Sequence, residues 1–272
     1  MSSEFFLPEW KIALDCGLGA DNARSARLVL ITHGHLDHIG GVARHAYIRK
    51  LTKQPPSIFV VPPELKEPLE AQIQWWSDVQ RSRHAGSVVI ALAPGETLDL
   101  TEWSIPTKGS SRHATAVKTQ HGIPSQGYVL SENRMKLKPE YASLQGPDLA
   151  RLRNQGVELS APVRVPLFAY TGDTTVMPLL CSDSPFLHVP TLLVECTYLD
   201  ATVTQEQAKR RGHTHLEDLR RVIPSFKGEE MILTHFSQRH TPQQILSARE
   251  GLSEEFPHIK FGVLYDDNKR GE

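Results

Sequence analysis

Short apolar and β-branched runs alternate with polar segments along the whole chain. WKIALDC, RLVLIT, SIFVV, SVVIAL, AVKTQH, GYVLS, LFAYTGD, TLLVEC and EMILTH have the composition and length of strands. Between them, the stretches Gly40–Leu51, Pro63–Val79, Gly146–Gln155, His215–Ile223 and Pro242–Glu254 read as helices, several opening with proline or an acidic residue near the first turn. Strands and helices interleave in this way in α/β sandwiches. There is no internal repeat, low-complexity tract or Gly/Ser linker, so residues 1–272 are expected to form one unit. Ser131–Pro166 is the most polar and least strand-like part; KLKPEY and DLARLRNQG carry much of its positive charge, and it is expected to be a surface insertion.

Composition narrows the picture. A chain of 272 residues with 39% hydrophobic content can bury a substantial core without disulfide support. Cys16, Cys181 and Cys196 are odd in number, scattered and without CxxC spacing, which argues against a cysteine-only zinc site and for a reducing, cytoplasmic setting. The N-terminal MSSEFFLPEWKIALDCG lacks a basic region followed by an apolar run, and no stretch approaches the ~18 apolar residues of a membrane helix. The chain is therefore expected to be neither exported nor membrane-spanning. A net charge of -1 provides no global attraction to nucleic acid, so any RNA binding must come from a local patch.

The strongest chemical signal is His33-Gly34-His35-Leu36-Asp37-His38, which directly follows the apolar run Leu28–Thr32 and precedes Gly40-Gly41. Four donors within six residues, imidazoles with a carboxylate, form a set suited to zinc; a histidine-rich surface loop is the plainer reading. The same context recurs where His121 follows AVKTQ, Asp173 follows LFAYTG and His235 follows EMILT, each at the end of a strand-like run. Singly, these are a strand-end histidine, a turn aspartate after Gly172 and a partly buried core histidine. Together they complete two sites: His33, His35 and His121 for one ion, Asp37, His38 and His235 for the other, and Asp173 between them. Zinc is the default from these donors, two ions per subunit, with manganese as the alternative given the carboxylates. Paired ions suit phosphodiester cleavage, and Asp37 is placed to take a proton from the attacking water.

The set HGHLDH, His121, TGDT and LTHFS resembles the metallo-β-lactamase superfamily in content and order from about Asp15 to Ser237. That resemblance implies a four-layer αββα sandwich. HGIPSQGY after His121, AYTGDT around Asp173, ECTYLD at Glu195, GHTH at His213 and LTHFSQR at His235 further resemble tRNase Z. The short plant-type members are the most similar, including the KLKPEY…GPDLARLRNQGVEL stretch. The resemblance implies a metal-dependent endoribonuclease that removes the 3′ trailer of precursor tRNA, and a homodimer. It also implies that His213 donates a proton to the leaving 3′ oxygen, oriented by Glu195. His215, two residues on, is a second candidate for the donor, with a solvated helix start as its plainer reading. Lys209, Arg210 and Arg211 are candidate phosphate contacts, or simply a solvated helix face. The Lys/Arg-Asn loop and the long Gly/Pro/Lys-rich arm of many tRNase Z chains are not found here.

Two other functions fit the same donors. Another two-metal phosphodiesterase or ester hydrolase acting on a small substrate would share the chemistry and differ in the pocket walls, tolerating loss of His213. A non-enzymatic RNA-binding or metal-storage module would need the ligands but not the proton donor.

Overall fold

The computed structural model describes residues 3–19, 25–81, 86–101, 103 and 110–265. The apolar runs become strands of two sheets. The first sheet orders β1 (Phe5–Leu7), β2 (Ile12–Leu14), β3 (Leu28–Leu30), β4 (Ile58–Val61) and β5 (Val88–Ala91), antiparallel at β1–β2 and parallel thereafter. The second has seven strands. Its antiparallel half contains β6 (Thr97–Asp99), β7 (Arg112–Lys118), β8 (Gln126–Leu137) and β9 (Ser160–Tyr170). Its parallel half continues from β9 through β10 (Thr191–Glu195) and β11 (Glu230–Thr234) to β12 (Lys260–Val263).

Alternation along the strands makes three apolar layers. Leu28, Leu30, Ile58 and Val60 of the first sheet pack against Tyr128, Leu130, Tyr170 and Leu193 of the second. On the outer face of the first sheet, Val29, Phe59 and Val61 meet Val42 and Ala46 of α2 (Val42–Leu51) and Leu69 and Ile73 of α3 (Lys66–Val79). On the outer face of the second, Leu192, Val194, Met231 and Leu233 meet Leu216 and Leu219 of α6 (Leu216–Val222) and Ile245 and Leu252 of α7 (Pro242–Glu255). Strands with both faces covered carry continuous apolar runs rather than strict alternation, which is why they are visible in sequence. The layer order is helix, sheet, sheet, helix. Three further α-helices are α1 (Leu36–Ile39), α4 (Gly146–Asn154) and α5 (Gln205–Arg210).

Ser131–Pro166 contains more strand than its composition suggests. β8 runs on to Leu137 and pairs with β9 from Ser160, carrying α4 between them. Arg134 to Leu137 and Pro162 to Arg164 are exposed. A ribbon wet on both faces needs no apolar alternation and so leaves no periodic signal. Between Leu130 and Ser131 the register shifts, where Pro166 opposes Ser131. A proline cannot donate to the ladder, and a bulge is where a sheet tolerates one.

Candidate metal centre

The candidate side chains leave the chain just past strand ends, and the two sheets bring those ends to one rim. β3 leads through Ile31 and Thr32 to His33, and the following turn carries His35 to His38. From the second sheet come His121 after β7, Asp173 after β9 and His235 after β11. Backbone positions around this rim are demanding. Gly172 has φ 61°, and a Cβ there would lie 2.6 Å from Thr32 Cβ, so glycine allows the chain to turn against the His33 strand end. His235 itself takes φ 59°, a conformation that costs a non-glycine residue energy and is found where function fixes the geometry.

All seven sequence candidates come together. His33, His35, His121 and Asp173 offer ligand atoms to one point, and Asp37, His38 and His235 to another. His35 Nδ1 lies 3.1 Å from His33 Nε2 and 3.2 Å from His121 Nε2, and His33 Nε2 lies 3.8 Å from Asp173 Oδ2. A tetrahedral ion with bonds of about 2.0–2.1 Å has ligand–ligand edges of about 3.3–3.4 Å, so the first group has the spacing of such a shell. In the second group, His235 Nε2 is 3.6 Å from Asp37 Oδ2, and His38 Nε2 is 3.7 Å from the same oxygen. Asp173 touches both groups, with Oδ1 3.4 Å from His38 Nε2 and Oδ2 3.1 Å from His235 Nε2. His38 Nε2 and Asp173 Oδ1 are buried without a hydrogen-bond partner. Such atoms are costly in a folded protein unless they ligate something. Asp173, His213 and His235 form a third close group, a combination that sequence reasoning did not weigh.

A layer of hydrogen bonds fixes which ring nitrogen faces the cluster. His38 Nδ1–H donates to Asp15 Oδ2 at 2.8 Å, and His121 Nδ1–H donates to the Gly212 carbonyl at 2.8 Å, so Nε2 of each ring is the nitrogen turned inward and free to ligate an ion. Asp15 also accepts from Thr32 N at 2.7 Å and from the Tyr170 hydroxyl at 2.9 Å. It is fully buried, with φ 57°. Sequence reasoning did not name it as a site residue, although a carboxylate directly after the β2 run repeats the strand-end context of the ligands. Thr197 Oγ1 lies 3.1 Å from His235 Nδ1 and donates to Glu195 Oε2 at 2.6 Å.

The electrostatics call for a cation. Burial, reinforced by the neighbouring imidazoles, pushes His33 down to about 2. Burial also works against a charged His38, but Asp15 and Asp173 outweigh it and push that ring up to about 11. Asp37 is held at about 2, burial being overcome by His235 and His38. Asp173 is held far below the usual carboxylate range, burial being overcome by His235, His38 and His33. The carboxylates thus draw positive charge, which without an ion falls to His38 and His235, both pushed upward, while burial denies it to His33. Divalent ions would satisfy both, and the donor set fits them.

His213 stands beside the cluster, its ring stacked on His235 at 5.3 Å between centroids and 5.0 Å from that of His121. Its Nδ1 lies 3.1 Å from Glu195 Oε1, within the pair named from sequence. Glu195 is in turn fixed by Thr174 N at 2.9 Å and Thr197 N at 3.1 Å. Burial lowers the His213 pKa but Glu195 outweighs it, and the net shift is upward. His215 is elsewhere: its Nδ1 accepts from Glu217 N at 3.1 Å as the N-cap of α6, and its Nε2 donates to the Asp200 carbonyl at 3.1 Å. At 4% exposure it is a buried cap rather than a solvated helix start. The Lys209-Arg210-Arg211 run divides three ways. Arg210 lies 3.7 Å from Glu206, Arg211 donates to the Tyr198 hydroxyl at 3.3 Å, and Lys209 lines a cavity with His213.

A β-lactamase superfamily domain matches residues 12–236. The chain is 34% identical over 252 residues to the chloroplastic tRNase Z TRZ2 of Arabidopsis thaliana, covering 89% of this chain and 66% of that protein. It is also 34% identical over 248 residues to tRNase Z TRZ1 of the same plant, covering 90% of this chain and 85% of that protein. The chain belongs to the tRNase Z family. Its fold agrees: the crystal structure of the short form of human tRNase Z superposes with a TM-score of 0.60 at 17% identity, covering 97% of this chain and 90% of that one. The four layers are those of the metallo-β-lactamase fold of this hydrolase family, and the rim where the sheets meet carries the clustered His and Asp side chains that could hold metal ions.

Proposed function

We propose that this chain is a two-zinc endoribonuclease that removes the 3′ trailer of precursor tRNA. The observation that supports the reading is the His213–Glu195 pair set against two groups of side chains that could each hold an ion. His33, His35 and His121 would hold one ion, Asp37, His38 and His235 the other, with Asp173 shared. Two ions so held would supply charge neutralisation at the scissile phosphate and a reactive water.

The protein's own groups do the rest. Asp37, partly exposed beside His235 and His38, accepts a proton from the attacking water. As the new O–P bond forms and the P–O3′ bond breaks, His213 gives its proton to the departing 3′ oxygen. The products are a 3′ hydroxyl on the tRNA and a 5′ phosphate on the trailer. Glu195 favours the protonated ring and fixes its rotation through Nδ1, leaving Nε2 as the donor. A ribose 3′ oxygen is a poor leaving group, so this donor matters far more for RNA than for an activated ester.

Arg211, held on the Tyr198 ring with its guanidinium 5.6 Å from the centroid, and Lys209 are the members of the basic run suited to RNA phosphates; Arg210 is not. The Ser131–Pro166 hairpin, a surface insertion on a single unit, and pairing of subunits belong to the same reading. So does a cytoplasmic setting, and no helix among the described residues is long and apolar enough to cross a membrane.

The test is cleavage of a 3′-extended precursor tRNA beside bis-p-nitrophenyl phosphate, with and without chelator. Metal-dependent cutting next to the discriminator base, lost in His213→Ala, is expected. Turnover of the small diester alone would point instead to a small-substrate phosphodiesterase.

A further inference from the structure

Two cavities adjoin the centre on different rings and share no lining residue. One, about 530 Å3, borders His121 and is walled by Pro62, Pro94, Ile123 and Pro124. The other, about 470 Å3, borders His213 and lies between the turn after Asp173 and helix α5. That volume is in the lower part of the roughly 300–1,000 Å3 usual for small-ligand sites, enough for one nucleoside but not for a stem.

The walls of the His213 cavity are of two kinds. Met177 and Leu180 present apolar side chains that are 44% and 52% exposed, although the core lies directly beneath them at Val176 and Leu179. The rest of the lining is mainly polar and includes Gln205, Glu206, Lys209, Asp218 and Arg221, with Gln205 and Arg221 both donating to Asp218. A nucleobase has the same division, with apolar faces and a hydrogen-bonding edge, and a flexible thioether such as Met177 adapts well to an aromatic face.

Chemistry then assigns the occupant. On the proposed-function reading, on which this rests, His213 protonates the 3′ oxygen of the nucleotide just upstream of the cut. That nucleotide must therefore lie on the His213 side of the centre, with the trailer leaving past His121. We infer that the cavity formed by Met177, Leu180, Gln205 and Lys209 seats the base of the last nucleotide retained in the tRNA. It would act as a specificity pocket that sets both the cleavage position and the direction of the strand.

The test is a coupling experiment with precursor tRNAs that are intact, abasic at the nucleotide 5′ to the cut, or abasic at the nucleotide 3′ to it. Each is given to the wild type and to the double variant Met177→Ala/Leu180→Ala, with bis-p-nitrophenyl phosphate turnover normalising for loaded centres. Removing the upstream base should lower kcat/KM of the wild type by roughly 5- to 150-fold, the range for one stacked base. The double variant should lose a similar factor on intact RNA and little more on the upstream-abasic RNA. Independent, multiplying losses, or coupling to the downstream base instead, would overturn the assignment. Turnover of the small diester by the wild type with no cutting of any RNA would overturn the RNA reading and the pocket with it.

Discussion

Replacing Asp15 by asparagine would test whether hydrogen bonds behind the ligands set their chemistry. The substitution preserves volume and removes one acceptor oxygen. Oδ1 faces Thr32 N, so the amide oxygen belongs there; the NH2 then replaces Oδ2, which accepts from His38 Nδ1 and Tyr170. The Tyr170 hydroxyl can rotate to accept instead. His38 can adapt only by changing tautomer, which places a proton on Nε2, the nitrogen aimed at Asp173 and the second ion site. In the chelator-treated protein the expected loss is about 1–2 kcal/mol, charge-assisted bonds becoming neutral ones. At about 2–4 °C per kcal/mol for a chain of this size, that is a Tm lower by roughly 2–8 °C. In the metal-loaded protein the wrong tautomer adds a loss of about 10–100-fold in affinity at the second site. Thermal unfolding with and without chelator, together with zinc competition against an indicator dye, would measure both. If Asp15→Asn lowered Tm equally in the two states and left both zinc affinities unchanged, the tautomer argument would be wrong.

Other expectations follow from the same geometry. His213→Ala and Glu195→Gln should each lower kcat on precursor tRNA, the former by about 10²–10⁴-fold, while metal content measured by atomic emission stays at the wild-type level; a fall in bound metal would make His213 a ligand, as its place in the third donor group allows. Gly212→Ala should weaken metal binding, because Gly212 has φ 79° and a Cβ there would lie 2.8 Å from His121 Nδ1. Wild-type zinc affinity in that variant would count against the role given to the Gly212 carbonyl. Asp173→Asn should disturb both ions, and two fully loaded sites in the purified variant would contradict its shared position. Far from the site, Thr241→Ala removes the capping box that opens α7, and chemical denaturation should report a loss of about 1 kcal/mol with cleavage intact.

The sequence reveals most of what is buried and little of what is wet. Nine strands were visible as apolar runs, most of them covered on both faces over the apolar stretch. β1, β6 and β12 are short strands at sheet edges and were not; β5, also at an edge, was visible through its apolar run SVVIAL. The candidate ligands were legible because the HGHLDH cluster, His121, Asp173 and His235 each follow a strand-like run, in an order that matches a known pattern. Asp15 escaped notice as a lone carboxylate whose partners, His38 and Tyr170, lie 23 and 155 residues away. The basic run could be divided only in part without coordinates: Glu206 lies one helical turn before Arg210 on α5, whereas only the tertiary structure puts Tyr198 beside Arg211. The two histidines of GHTH look alike in sequence. One lies against Glu195, and the other closes a helix.

The centre straddles the seam between the sheets. His33, His35, Asp37 and His38 hang from the first, while His121, Asp173 and His235 hang from the second. An ion held by His35 and His121 would tie together points 86 residues apart, and because that site exists only in the folded chain, its binding free energy would add directly to the free energy of folding. Ion occupancy and cohesion of the sandwich are then one equilibrium. A change that loosens the inter-sheet layer at Tyr128 or Leu193, out of reach of any ligand, would appear first as leakage of metal rather than as unfolding.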